Sequence, residues 1–124
     1  MSGGSIESYR DLRVWREAMD LAEAAYLLSA SFPRSEAFAM TPQLRRAAIS
    51  VPANVAEEYG RDSTGAYVQF LKFSQGSLKE LETHLLLSQR LGFASAEHID
   101  TVLDRCATVG KMLRALILAV QRSG

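Results

Sequence analysis

His84 has Glu80 four residues before it and Glu82 two before it, and His98 directly follows Glu97. Imidazole and carboxylate at such spacings raise two chemistries, metal binding and general acid–base catalysis. A di-iron bundle needs Glu-x-x-His on each of two helices and further carboxylates from the other two. Neither histidine completes that spacing, and two histidines cannot build the site. No serine sits in a nucleophile elbow, and no glycine-rich loop follows a strand to cradle phosphate. The single cysteine, Cys106, falls on the apolar face of a predicted helix, where a cysteine behaves as a small hydrophobe. It has no partner for an intrachain disulfide, which points to a reducing compartment. The expectation is a protein without metal or cofactor that is not an enzyme.

Two polar constellations remain. Arg46, Ser50, Asn54, Glu57 and Arg61 advance by four, four, three and four residues, so they share one helical face beside the apolar one. They form either a solvated face with pairs along the helix or a polar network between helices or subunits. Pro52 lies among them and leaves the Ala48 carbonyl without its usual partner. A second face carries Phe73, Gly76, Ser77, Glu80, His84 and Leu87. Glycine inside a helix costs about 1 kcal/mol against alanine, so Gly76 is expected where another helix approaches closely. This face is either a subunit interface or the flank of a wide helix touched by both neighbours. Arg45, Arg46 and Arg61 are candidates for contact with nucleic-acid phosphates, or else ordinary solvated helix-surface arginines.

The elements that carry these residues read as helices throughout, because apolar residues recur at three- and four-residue steps in four blocks. The first block, about Leu12 to Ser31, presents Trp15, Ala18, Ala22, Ala25 and Leu28, with Asp11 as its expected N-cap and Phe32-Pro33 ending it. The second opens on Thr41-Pro42, a hydroxyl cap with proline at the first helical position. It presents Leu44, Ala47, Ala48, Val51, Val55 and Tyr59, and stops at Gly60. Its period continues through Pro52, so a kink is expected there rather than an end. The third, about Ser63 to Leu91, is capped by Asp62 or Ser63 and presents Tyr67, Phe70, Leu71, Ser74, Leu78, Leu81 and Leu85, with Gly92 as its C-cap. The fourth starts from a Ser95 cap and presents Ile99, Val102, Leu103, Cys106, Val109, Leu113, Leu116, Ile117 and Val120. Mostly short links favour an all-α, antiparallel up-down-up-down four-helix bundle over residues 9–122, behind a flexible tail at 1–8.

The composition agrees. Hydrophobic residues make up 48% of the 124 and charged residues 23%, which is globular and not disordered. Basic and acidic residues both number 14, so the formal charge is zero. That argues against coating nucleic acid by bulk charge, while leaving room for a local patch, and it removes repulsion between copies. No stretch approaches the roughly 18 apolar residues of a membrane span, and the start lacks the pattern of a signal peptide. The protein is expected to be soluble and cytoplasmic. More large apolar residues fall in block three than one bundle core needs, which points to a homo-oligomer.

Several segments, in this order, resemble a known family. They are Asp11-Leu12 with Val14-Trp15, Phe32-Pro33, Gln43 to Ala48, Ser50 to Glu57, Gly60-Arg61 and Gly76 to Thr83. Together they are similar to the bacterial four-helix-bundle proteins first met in open reading frames inside 23S rRNA intervening sequences. The resemblance runs from Tyr9 to about Leu118. It implies a ring-like homopentamer of unclear biological role with no established enzymatic activity. It also implies kinship with the accessory protein of diversity-generating retroelements, a pentamer that binds a reverse transcriptase and nucleic acid. Two positions depart from the family pattern. Glu58 stands where the family usually has glycine, and Ala66 where a capping-box glutamate is common.

Overall fold

The apolar periodicity is realised as four α-helices in the computed structural model, which describes residues 8–60 and 63–123. They are α1 (Arg13–Ser29), α2 (Met40–Ala56), α3 (Thr64–Arg90) and α4 (Ala96–Ser123), with single 3-10 turns at Tyr9–Asp11 and Arg34–Glu36. No strand occurs among the described residues. Each helix packs against the next in the chain, and α1 closes against α4, which makes a four-helix bundle. The contacts set the register. Ser74 meets Val51 and Ser77 meets Ser50. Leu78 meets Gly110, and Gln89 reaches Ala96 and Asp100. Positions that rise along α3 therefore fall along both α2 and α4.

The helix ends show how local chemistry sets the boundaries. Asp11 does not cap α1, contrary to the sequence reading. Its carboxylate accepts from the Ser8 N–H at 3.2 Å while the Ser8 hydroxyl accepts from the Arg10 N–H at 3.1 Å. That reciprocal pair closes the first 3-10 turn, and α1 starts from Leu12 without a side-chain cap. Ser8 thus belongs to the folded part, while residues 1–7 of the expected tail lie outside the described residues. Thr41 and Pro42 are not the cap and first residue of α2 either. The Glu36 carboxylate accepts from the Met40 N–H at 3.1 Å and starts the helix two residues earlier. Pro42 then sits in the first turn, where an N–H has no intrahelical partner anyway.

Helix α2 continues past Pro52 to Ala56 and ends four residues before the expected stop at Gly60. Glu57 turns extended, and Glu58 takes a positive φ of 63°. Ser63, not Asp62, caps α3 by accepting from the Ala66 N–H at 3.1 Å; Asp62 lies outside the described residues. At the other end of α3, Gly92 has φ 72°. Its N–H donates to Gln89 O and that of Phe93 to Ser88 O, the two bonds of a Schellman motif. The same turn delivers the Phe93 ring to Phe32, 5.7 Å away. On α4, the His98 N–H donates to the Ser95 hydroxyl at 3.2 Å.

The core is one cluster, with Leu21, Leu44, Leu71, Leu81, Leu85, Ile99 and Leu113 fully buried. On α1 the buried stripe is Val14, Ala18, Leu21, Ala25 and Leu28. Trp15 and Ala22, expected at its centre, sit at its edge, where Trp15 packs edge-on against Tyr9 at 5.2 Å.

Candidate interaction site

Among the expected site residues, the structure brings Ser50, Asn54 and Ser77 together. The Asn54 side-chain amide donates to Ser50 O and to Ser50 Oγ, both at 2.9 Å. The Ser77 hydroxyl, from α3, donates to Ser50 Oγ at 2.8 Å. One turn away the fully buried Ser74 hydroxyl donates to Val51 O at 2.8 Å. The polar stripe is therefore an interhelical network at its middle. It holds the seam between α2 and α3 through short side chains that let the two backbones approach. The sequence reading placed Ser74 on the apolar stripe and missed its partner. The available signal was a lone serine among leucines, close in register to a helical proline.

The ends of the stripe behave differently. Arg46 is exposed on α2. Glu57 is the extended residue that closes α2, so it leaves the helical face it was assigned to. Arg61 lies outside the described residues. Glu80 stands beside His84 with 3.4 Å between Oε2 and Nε2, a pair that carries charge on both sides only when the histidine is protonated.

Arg45 is more than a surface cation. Its guanidinium lies 4.7 Å above the Tyr26 ring, and its Nε donates to Ser29 Oγ at 2.8 Å. The Ser29 hydroxyl in turn donates to Tyr26 O at 3.0 Å. Arg45 thus ties α2 to α1 at the edge of a shallow cleft of about 360 Å³ that Arg46 and Ile49 also line. Beside this cleft, in the link between α1 and α2, Phe38 is 99% exposed. Phe73 on α3 and Ile49 on α2 are exposed as well, at 46% and 47%.

No helix of the same chain comes close to Gly76. A Cβ placed there would meet nothing within 4 Å. The residue lies at the open lip of a cleft between α3 and α4. The glycine that does allow close packing is Gly110 on α4, where an added Cβ would stand 3.3 Å from Leu78 Cδ2. Cys106 lies beneath this cleft, fully buried. Burial pushes its thiol up to about 12, reinforced by the Glu82 charge and opposed by Lys79. Burial likewise pushes the Tyr67 phenol up to about 12, with the neighbouring Tyr59 adding to it. The two tyrosine rings pack edge-on at 5.8 Å. Among the described residues no three of His, Cys, Asp or Glu converge on a point that would hold a metal. No helix among them is long and apolar enough to cross a membrane.

Comparison with known proteins places this geometry. The family model described as 23S rRNA-intervening sequence protein matches residues 10–115. A solved structure of similar shape is a protein of unknown function from the S23 ribosomal protein family of Bacteroides thetaiotaomicron VPI-5482. It superposes with a TM-score of 0.77 over 84% of this chain and 94% of its own, at 21% identity. That likeness establishes the fold. Among curated proteins none matches the chain.

Proposed function

The chain belongs to the 23S rRNA-intervening sequence protein family, and on that premise we propose that it acts without catalysis, as a cytoplasmic self-assembling interaction module. Copies of the bundle associate, and the assembly presents a surface to a partner. The observation that carries this reading is Phe38, a wholly exposed aromatic held in an ordered link beside an open cleft. An isolated surface leucine needs no explanation, but exposed aromatics next to concave apolar surface are typical of contact sites. Ile49 borders the same cleft, and Phe73 is a second exposed aromatic, on α3. A chain of zero net charge adds little repulsion between copies.

The assembly is a ring of five, as the family resemblance implies. Head-to-tail contacts between unlike patches close into rings when the rotation between neighbours permits. The cleft beside Phe38 and the aromatic surface of α3 are unlike patches of this kind. Sedimentation velocity or light scattering at micromolar concentration tests the proposal. Five copies of 13.6 kDa give about 68 kDa. A mass of one chain across that concentration range rejects it.

A further inference from the structure

The cleft between α3 and α4 has a volume of about 700 Å³ and collects positive charge from both walls. Lys72 and Lys79 stand on α3, Lys111 and Arg114 on α4, and all four are exposed. Glu82 is the single acid lining it, and it already pairs with Lys79 at 3.3 Å. Four cations against one carboxylate leave three positive charges in one cleft of a chain whose formal charge is zero. The concentration is therefore local and does not follow from bulk composition.

The register gives the cluster a shape. Lys72 and Lys79 are seven residues apart, so they stand about 10.5 Å apart along α3. With Leu78 opposite Gly110, Arg114 and Lys111 fall on the facing wall between those two lysines. Apart from the charged groups, the lining is Gln75, Gly76, Leu78, Cys106, Ala107 and the bare backbone of Gly110. It offers no pocket for the large apolar knobs of a docked amphipathic helix. Gly76 leaves the lip open, since a Cβ there would meet nothing within 4 Å among the described residues. A glycine in the middle of a 27-residue helix is unfavourable against alanine, and an occupant of this cleft gives it a reason.

We infer that the cleft between α3 and α4 is an anion site that takes a run of consecutive phosphates, gripped by Lys72 and Lys79 on one side and Lys111 and Arg114 on the other. Three lysines act as mobile point charges without a fixed fork, which suits a flexible phosphate chain better than one rigid carboxylate. The site lies on the opposite flank of α3 from the seam with α2, away from Arg45 and Arg46.

The test titrates the full chain with two probes at low salt. Sodium tripolyphosphate is followed by calorimetry, and a short fluorescein-labelled single-stranded RNA by anisotropy. The wild type binds at least one probe. Tripolyphosphate binding marks a free phosphate ligand, whereas RNA binding alone marks a nucleic-acid backbone, and either supports the site. For RNA, four phosphate contacts give a slope of about −3 for log affinity against log salt. Lys79→Glu with Arg114→Glu lowers affinity about tenfold or more, since it reverses half of the contacts. Gly76→Leu lowers it too while leaving the melting temperature unchanged or higher, which a merely structural glycine would not do. Arg13→Glu with Arg16→Glu makes the same change in charge on α1 and leaves affinity within about twofold. Failure of both probes to bind, or an equal loss from the α1 pair, overturns the inference.

Discussion

Glu58 is the residue whose backbone conflicts most plainly with its side chain. Its φ is 63°. A side chain in the left-handed region costs roughly 1 kcal/mol that glycine avoids. Glu58→Gly is therefore expected to relieve about 0.5 kcal/mol of strain, net of the greater freedom of glycine in the unfolded chain, against which the loss of the Glu58 side chain's own interaction counts. Urea denaturation measures it directly, and a fall in midpoint would show that the Glu58 side chain contributes more than its strain costs. Cys106 and Tyr67 make a second prediction at this scale. Both groups are pushed up to about 12, from 9.0 and 10.0. The unfolded chain loses these protons first as pH rises, so it binds fewer protons than the native state above about 9, and stability falls from there to about 12. Cys106→Ala removes the thiol's share of that fall. In the native state at pH 8 the thiol should stay unreactive to a disulfide reagent, and react only on unfolding.

At the scale of the helix, two glycines of the same chain should respond with opposite signs. Gly76 has open space around it, so Gly76→Ala gains helix propensity alone, about 0.5–1 kcal/mol of added stability. Gly110 faces Leu78 Cδ2 at 3.3 Å. Gly110→Leu must push α3 and α4 apart, and is expected to cost about 1–3 kcal/mol. Thermal melts of the two variants decide it. Ser74→Ala removes the buried bond to Val51 O beside Pro52 and should cost about 1 kcal/mol. These cases also mark what a single sequence can and cannot tell. The four helices were legible because leucines, valines and alanines at three- and four-residue spacing permit only one buried face per block. The Ser95 cap and the Gly92 stop were legible because their partners lie within one turn. Asp11, Thr41 and Gly60 were misassigned because a second local group competed for the same end: Ser8, Glu36 and the extended Glu57. The cost of a helical glycine at Gly76 says that something needs space there, and not whether that something belongs to the same chain.

For the whole molecule the question is what covers the apolar residues that the bundle leaves outside. Block three was expected to carry more large side chains than one core uses; Phe73, Leu86 and Leu87 are exposed, whereas Leu71 and Leu85 are fully buried in the core. The stronger candidate anchor, Phe38, was not legible, because an aromatic in a link between helices has no periodicity to place it inside or out. Burying one such ring is worth about 1.5–3 kcal/mol, which corresponds to roughly 10- to 100-fold in the affinity of a contact. If copies associate through this surface, the melting temperature rises with protein concentration, because association stabilises only the folded chain. Phe38→Ser combined with Phe73→Ser should then give a monomer at micromolar concentration. Its far-ultraviolet circular dichroism should stay unchanged, since neither ring lies in the core, and its melting temperature should no longer depend on concentration. A wild type whose melting temperature is already independent of concentration, with the mass of one chain, would leave these rings without an assembly to hold.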